Sequence, residues 1–356
     1  MIGQTDDRHA PVQLRRRVFS WPTVLAFVVA LSFIYFLSTR FQVDWDKTWQ
    51  TVLALDPRLY LVGFGLYYIS FVFRGLRWRF LARNAGISDS PETRLPSVLK
   101  FSQLIVMGWF VNSIAWLHIG DAYRAYALSE ESKSAFSWSL GTVLAERVVD
   151  MVAVLVLIVV GAALFSVTRD TSGAGYFVGA AFVMASALGG VLAFMKGYGA
   201  RAARFLPGRL ESAYTRFQEG ALGSLRQRQL PVIFVLGLAG WLLETGRLYF
   251  VVHSLGLSIG IPLVLIVALG HAILSTVGTP GGVGAVEPGV TGLLMLDMAR
   301  EEAVSIALVD RSITYLSIIV LGGLTFLAWQ LSRRRQRANE RHAAEAVPQG
   351  QGVADA

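Results

Sequence analysis

Of 356 residues, 54% are hydrophobic, only 16% are charged, and none is cysteine. The mean hydropathy of +0.52 excludes an ordinary soluble domain, and the missing cysteines exclude a disulfide framework, a thiolate metal site and a cysteine nucleophile. The net charge of +8 is no nucleic-acid signature, because the basic residues gather in segments between apolar runs.

Those runs lie near the bilayer-crossing length of about 20 residues and fall at 19–38, 59–77, 96–118, 134–167, 175–195, 231–253, 262–297 and 302–331. The first follows Arg15-Arg16-Arg17 but ends in Ser38-Thr39-Arg40 without a small-residue cleavage site, so it reads as a retained span. Basic residues concentrate in the N-terminus (Arg8, Arg15, Arg16, Arg17), in 74–94 (Arg74, Arg77, Arg79, Arg83, Arg94), in 196–230 and in 333–341. The positive-inside rule puts all four segments in the cytoplasm, while the Lys/Arg-poor stretches 39–58, 168–174, 254–261 and 297–302 face out.

This assignment creates a parity problem. Between residues 90 and 200, both inside, lie three apolar runs, so one of them cannot cross. The run opened by Leu95-Pro96 is interrupted by Asn112, Ser113, His118, Gly120 and Asp121, and the run opened by Ile261-Pro262 is interrupted by Gly278-Thr279-Pro280-Gly281-Gly282-Val283-Gly284. Proline and clustered glycine cannot continue a helix, and such breaks are tolerated at membrane depth only where protein or a wet cavity satisfies the freed backbone. Each interrupted run is therefore read as a re-entrant hairpin.

The sequence predicts an all-α polytopic membrane protein with six spanning helices and two re-entrant helical hairpins in an inverted repeat. Residues 1–18 read as a basic cytoplasmic N-terminus and 332–356 as a disordered cytoplasmic tail. The transmembrane domain covers 19–331, with repeat units at about 59–167 and 231–331. Two further echoes support the repeat: Arg74-Gly75-Leu76-Arg77 against Glu244-Thr245-Gly246-Arg247, and Ala145-Glu146-Arg147 against Val309-Asp310-Arg311. Inverted repeats with paired helix breaks mark transporters whose halves rock about a shared site.

Candidate site residues follow from the breaks. Helix N-termini there favour an anionic group such as a lipid phosphate. Gly281, Gly282 and Gly284 would form the second cradle, although glycines also serve close helix packing. Glu287, just past the glycines, receives a proton or cation, orients an ammonium headgroup, or satisfies free N–H groups at the helix start. Asp121 is its counterpart and also suits a helix cap. Arg124 offers a fork matching phosphate. Glu146, Arg147 and Asp150 share a helix, with Arg147 able to pair with Asp150. Arg147 lies roughly 30 Å from the outer end near Val167. Asp310-Arg311 mirrors that depth, so the two clusters are either static ion pairs or inner and outer gates. Glu244 and Arg247, one turn apart, form a self-satisfying pair, and Lys100, His118 and His271 are further polar residues in apolar runs. Arginines 201, 204, 209 and 216 pattern 199–228 as an amphipathic helix on an anionic leaflet. No metal-ligand cluster, cofactor motif or catalytic spacing is present.

The 140–161 helix with Glu146-Arg147-x-x-Asp150, followed by Gly281-Gly282-Val283-Gly284-Ala285-Val286-Glu287, resembles the transmembrane region of lysylphosphatidylglycerol synthases over about residues 20–331. The resemblance implies a flippase-like, stand-alone relative, without the lysyl transfer of the soluble synthase domain. The family's first hairpin tends to carry Pro and Gly-Glu before its Arg, where this chain has Gly120-Asp121 and Arg124 without the proline. The expected activity is movement of an anionic-headgroup phospholipid or lipid-linked intermediate between leaflets of the inner (plasma) membrane. The expected partners are that lipid and the bilayer, with no nucleic acid and no cofactor, in a chain compatible with a homo-oligomer. The alternatives are an integral-membrane glycosyl- or headgroup-transferase and a non-catalytic envelope-assembly subunit.

Overall fold

The computed structural model describes residues 44–88, 93–168, 174–226 and 229–345; the N-terminal segment 1–18, the apolar run at 19–38 and residues 346–356 fall outside them, while residues 332–345 of the expected disordered tail are helical. Every regular element among the described residues is helical. In chain order these are α1 (Trp45–Leu53), α2 (Pro57–Ala85), α3 (Val98–Ile114), α4 (Ile119–Ser132), α5 (Phe136–Thr168), α6 (Ala174–Ala203), α7 (Gly208–Ser224), α8 (Leu230–Ser254), α9 (Ile261–Leu274), α10 (Val286–Leu294), α11 (Arg300–Arg311) and α12 (Gly323–Glu345). Wide π turns over Ser312–Leu316 and Ile318–Gly322 join the last two into one long helix. Among the described residues, five helical stretches are long and apolar enough to cross a membrane: Pro57–Ala85, Phe136–Leu164, Phe182–Ala203, Leu230–Ser254 and Arg300–Gln336.

Local chemistry sets the helix ends. The Asp56 carboxylate accepts the Arg58 N–H at 2.8 Å and Pro57 occupies the first turn, so α2 starts there. It stops at Gly86, whose φ of 116° only glycine adopts readily. The apolar run at 59–77 is thus the first two thirds of a longer helix. Arg74 and Arg77, counted above with the cytoplasmic segment, are buried inside it.

Both interrupted runs are helix–break–helix units. The first breaks after α3, where Ala115 is extended and Leu117 and His118 take positive φ of 61° and 52°. The second breaks after α9, with Gly281, Gly282 and Gly284 at φ of 58°, 68° and 88°. The two breaks touch: the Leu117 N–H donates to Gly278 O at 3.0 Å, and His118 Nε2 meets Ser275 O at 2.8 Å.

Helices α2 and α8 lie side by side and antiparallel. The Asp56 N–H at one end donates to Ser254 O at 2.6 Å, Gly63 lies against the Arg247 carbonyl, and Gly237 faces the Arg77 guanidinium at the other end. A second close pair is α5 and α7. A Cβ on Gly141 would strike the Phe217 carbonyl, and one on Gly220 would strike the Trp138 carbonyl, so the backbones touch. The amphipathic stretch expected over 199–228 is divided by this packing. Its first part ends α6, the chain turns at 204–207 with Phe205 exposed, and α7 buries Gly220, Ala221 and Ser224 against protein rather than lying free on a leaflet.

Candidate functional site

Buried charges must be paired, because an isolated ion in apolar surroundings costs several kcal/mol after relaxation (order of magnitude). The helices meet this demand by threading one alternating chain of arginines and carboxylates through the middle of the bundle. It begins at α5, where Arg147 holds Asp121 of α4 through Nε at 2.9 Å and Nη2 at 2.6 Å. Arg124 Nε also stands 3.2 Å from Asp121 as an ion pair, and Arg124 Nη1 donates to Glu146 at 2.6 Å. Glu146 shares Arg77 with Asp150. Arg77 donates Nη2 to Glu146 at 3.0 Å and holds Asp150 through Nη1 and Nη2 at 2.7 and 2.9 Å.

From Asp150 the chain passes to Arg74 at 4.0 Å, from Arg74 to Glu244 at 3.3 Å, and from Glu244 to Arg247 at 3.3 Å. Arg247 pairs with Asp310 of α11, whose other oxygen stands 3.3 Å from His271 Nδ1 of α9. A last pair closes the far side. Arg311 Nε lies 2.9 Å from Glu287, and Arg311 Nη2 donates to Gly281 O at 3.0 Å. Glu287 in turn accepts the Gly284 N–H at 2.8 Å. The glycine turn, the carboxylate and the arginine therefore form one unit.

Aromatic faces insulate the cations. The Arg74 guanidinium lies between Trp109 and Trp241, 5.3 and 4.5 Å from their ring centroids. Arg124 stacks on Trp78, Arg247 on Tyr67 and Arg311 on Tyr315. Trp241 Nε1 donates to Asp150 at 3.0 Å, filling a further lone pair.

Exposure separates the middle of the chain from its ends. The side chains of Arg77, Arg124, Glu146, Asp150 and Asp310 are at most 3% exposed, whereas Asp121 and Arg147 reach 25% and 31% and Glu287 and Arg311 reach 25% and 11%. The two ends sit at the two helix breaks. That places a partly exposed carboxylate–guanidinium pair beside each.

The pairing pattern occurs twice. Asp121–Arg147 matches Glu287–Arg311, and Arg77–Glu146 matches Arg247–Asp310. Arg74 and Glu244 hold corresponding places in the two echoed motifs and pair with each other, which joins the sets.

All the expected site residues fall in or beside this network, but several partners differ from expectation. Arg147 reaches across to Asp121 rather than along its own helix to Asp150, which Arg77 has already filled. Asp121 is not the cap of α4. The cap position is His118, which makes no side-chain cap bond, while Asp121 spends its oxygens on Arg147 and Arg124. Arg124, expected to grip phosphate, is buried between two acids. Glu244 and Arg247 do pair, yet each also bonds outside the pair. Arg311 pairs with Glu287 rather than Asp310. Gly282 belongs to the turn itself, since a Cβ there would press on Ser275 and Val286. Lys100 lies away from the chain, 3.6 Å from Glu131. Arg74 and Arg77 were missed as site members. Three acids on buried faces of α5 and α8 needed more cations than those helices supply, and that deficit was the available signal.

The family model described as the lysylphosphatidylglycerol synthase TM region matches residues 23–322. A UPF0104 membrane protein of Methanocaldococcus jannaschii is 27% identical over 240 residues, 65% of this chain and 100% of the relative. A UPF0104 membrane protein of Pyrococcus horikoshii is 23% identical over 310 residues, 79% of this chain and 90% of the relative.

Proposed function

The chain belongs to the family of the lysylphosphatidylglycerol synthase transmembrane region, and from that premise we propose that this multi-pass membrane protein moves an anionic-headgroup phospholipid or lipid-linked intermediate between leaflets. One observation carries the reading. Two broken helices abut, and each ends beside a partly exposed carboxylate–guanidinium pair, with a fully paired charge chain between them. A phosphate needs an arginine it can reach, and the lipid path needs one on each side of a barrier. Arg147 and Arg311 fit those two places. Asp121 and Glu287 then act as stand-ins that hold each arginine until a headgroup arrives.

The proposed topology is six spans and two re-entrant hairpins, with the 19–38 run as the first span and both termini in the cytoplasm of an inner-membrane protein. Its support is the Lys/Arg distribution, the antiparallel run of α2 and α8, and the twofold recurrence of the ion pairs. Units related by inversion can exchange an inward-open for an outward-open arrangement by rocking one against the other. The Asp121–Arg147 and Glu287–Arg311 pairs are the proposed gates.

The test is a leaflet-specific headgroup assay in proteoliposomes containing only this protein. The expected result is faster exposure of a labelled phosphatidylglycerol with wild-type protein and loss of that rate in Glu287→Gln, with normal membrane insertion. Wild-type liposomes no faster than empty ones refute the proposal.

A further inference from the structure

The charge balance of the network points to a coupling ion. Counting the residues already named, the chain holds the arginines 74, 77, 124, 147 and 247 against the acids 121, 146, 150, 244 and 310, and the remaining pair adds Arg311 against Glu287. Every carboxylate is matched by one guanidinium. No cation in the network is spare for an incoming anion. A phosphate monoanion bound to Arg311 or Arg147 therefore leaves the cluster with one anion too many, whether it displaces the carboxylate or joins it. In apolar surroundings such a surplus is expelled or neutralised by a proton.

We propose that headgroup phosphate and a proton enter together, the phosphate on Arg311 and the proton on Glu287. This rests on the lipid-moving reading above and adds its driving ion. The guanidinium exchanges a carboxylate for a phosphodiester of equal charge, and the released carboxylate takes one proton from water on the side where the lipid enters. Release on the opposite side reverses both steps, so lipid and proton move together and without net charge.

The surroundings leave Glu287 as the proton acceptor, because Asp121 keeps Arg124 when a ligand takes Arg147. Around Glu287, α11 presents Arg311 and Asp310, the π turn presents Tyr315, and α9 presents His271. Asp310 is held by Arg247 and His271, so it stays paired when a ligand takes Arg311. Around Asp121, α5 presents Arg147 and Glu146, and α4 itself presents Arg124 and His118. Glu146 keeps Arg77 and Arg124, His118 is bonded to Ser275 O, and Lys100 of α3 is engaged with Glu131 at the far end of α4. Among the carboxylates of the network, only Glu287 combines partial exposure with a single arginine partner.

The test is calorimetry of purified protein in neutral detergent with short-chain phosphatidylglycerol, repeated in buffers of different ionisation enthalpy. That lipid keeps one fixed negative charge across the neutral range, so any proton uptake belongs to the protein. The expected uptake approaches one proton per lipid bound, with affinity falling by up to about tenfold per pH unit as pH rises. In Glu287→Gln, whose amide imitates the protonated acid, binding should persist with uptake lost and a flat pH profile. The wild-type measurement decides even if that variant fails to fold. Lipid binding without proton uptake overturns the coupling and leaves the lipid-moving reading intact. No binding at any pH overturns both.

Discussion

Arg77 is the residue whose loss should be felt most. Its side chain is 1% exposed and makes three short bonds, two to Asp150 at 2.7 and 2.9 Å and one to Glu146 at 3.0 Å. Arg77→Met fits the same volume and keeps the packing against α8, but strands Asp150, whose other cation Arg74 is 4.0 Å away. Breaking a buried pair from one side costs about 3–5 kcal/mol, because the remaining charge is left uncompensated. Removing both partners is different. In Arg77→Met/Asp150→Leu, Glu146 keeps Arg124 and Arg74 keeps Glu244, so the charges balance again. The residual loss is the Trp241 Nε1 donor, which bonds Asp150 at 3.0 Å and is worth about 1–3 kcal/mol when stranded. The double variant should therefore be more stable than Arg77→Met alone. The assay is reversible unfolding of purified protein in mixed micelles with increasing sodium dodecyl sulfate, run as a double-mutant cycle. Additive losses, or an Arg77→Met cost under about 1 kcal/mol, would refute the claim that charge matching governs this interior.

Other expectations follow from the same contacts. Gly220→Leu should push α7 off α5, because its side chain meets the Trp138 carbonyl; the cost should be about 1–3 kcal/mol of overpacking, read in the same unfolding assay, and a silent substitution would deny the close approach. If the end pairs are gates, Arg147→Gln and Arg311→Gln should shift labelling of a cysteine placed at Ser275, beside the second break, in opposite directions; shifts of the same sign would make both pairs structural. Single cysteines at the exposed Ser212 and Ser258 in this cysteine-free chain should react with an impermeant reagent from opposite sides of the membrane, and equal labelling from outside would sink the charge-based topology.

Much of the architecture was legible in order of sequence. The apolar runs, the two interruptions and the Lys/Arg bias state where helices form and where they stop, because helix propagation and its failure at proline and clustered glycine are local events. The acids and arginines of the site were visible for a similar reason, since an ionisable residue in an apolar run stands out wherever it ends up. Residues 278–284 show how far this goes: the composition alone demands a turn, and Gly281, Gly282 and Gly284 take the positive φ that glycine permits.

Partner choice belonged to the tertiary structure. Asp121 had the look of a helix cap and became the clasp of Arg147, and Asp150 turned from its own helix to Arg77. Arg74 and Arg77 looked like the edge of a basic loop, because the apolar run before them ends there, yet α2 carries them inward to stand beside Glu244 and Asp150. Helical spacing brings together residues three or four apart, but a buried charge seeks the best desolvated geometry within reach, and most of that geometry is supplied by other helices. The sequence determined which groups had to be paired. Only the packing of α2, α5, α8 and α11 decided with whom, and so produced one continuous chain of charges in place of several local pairs.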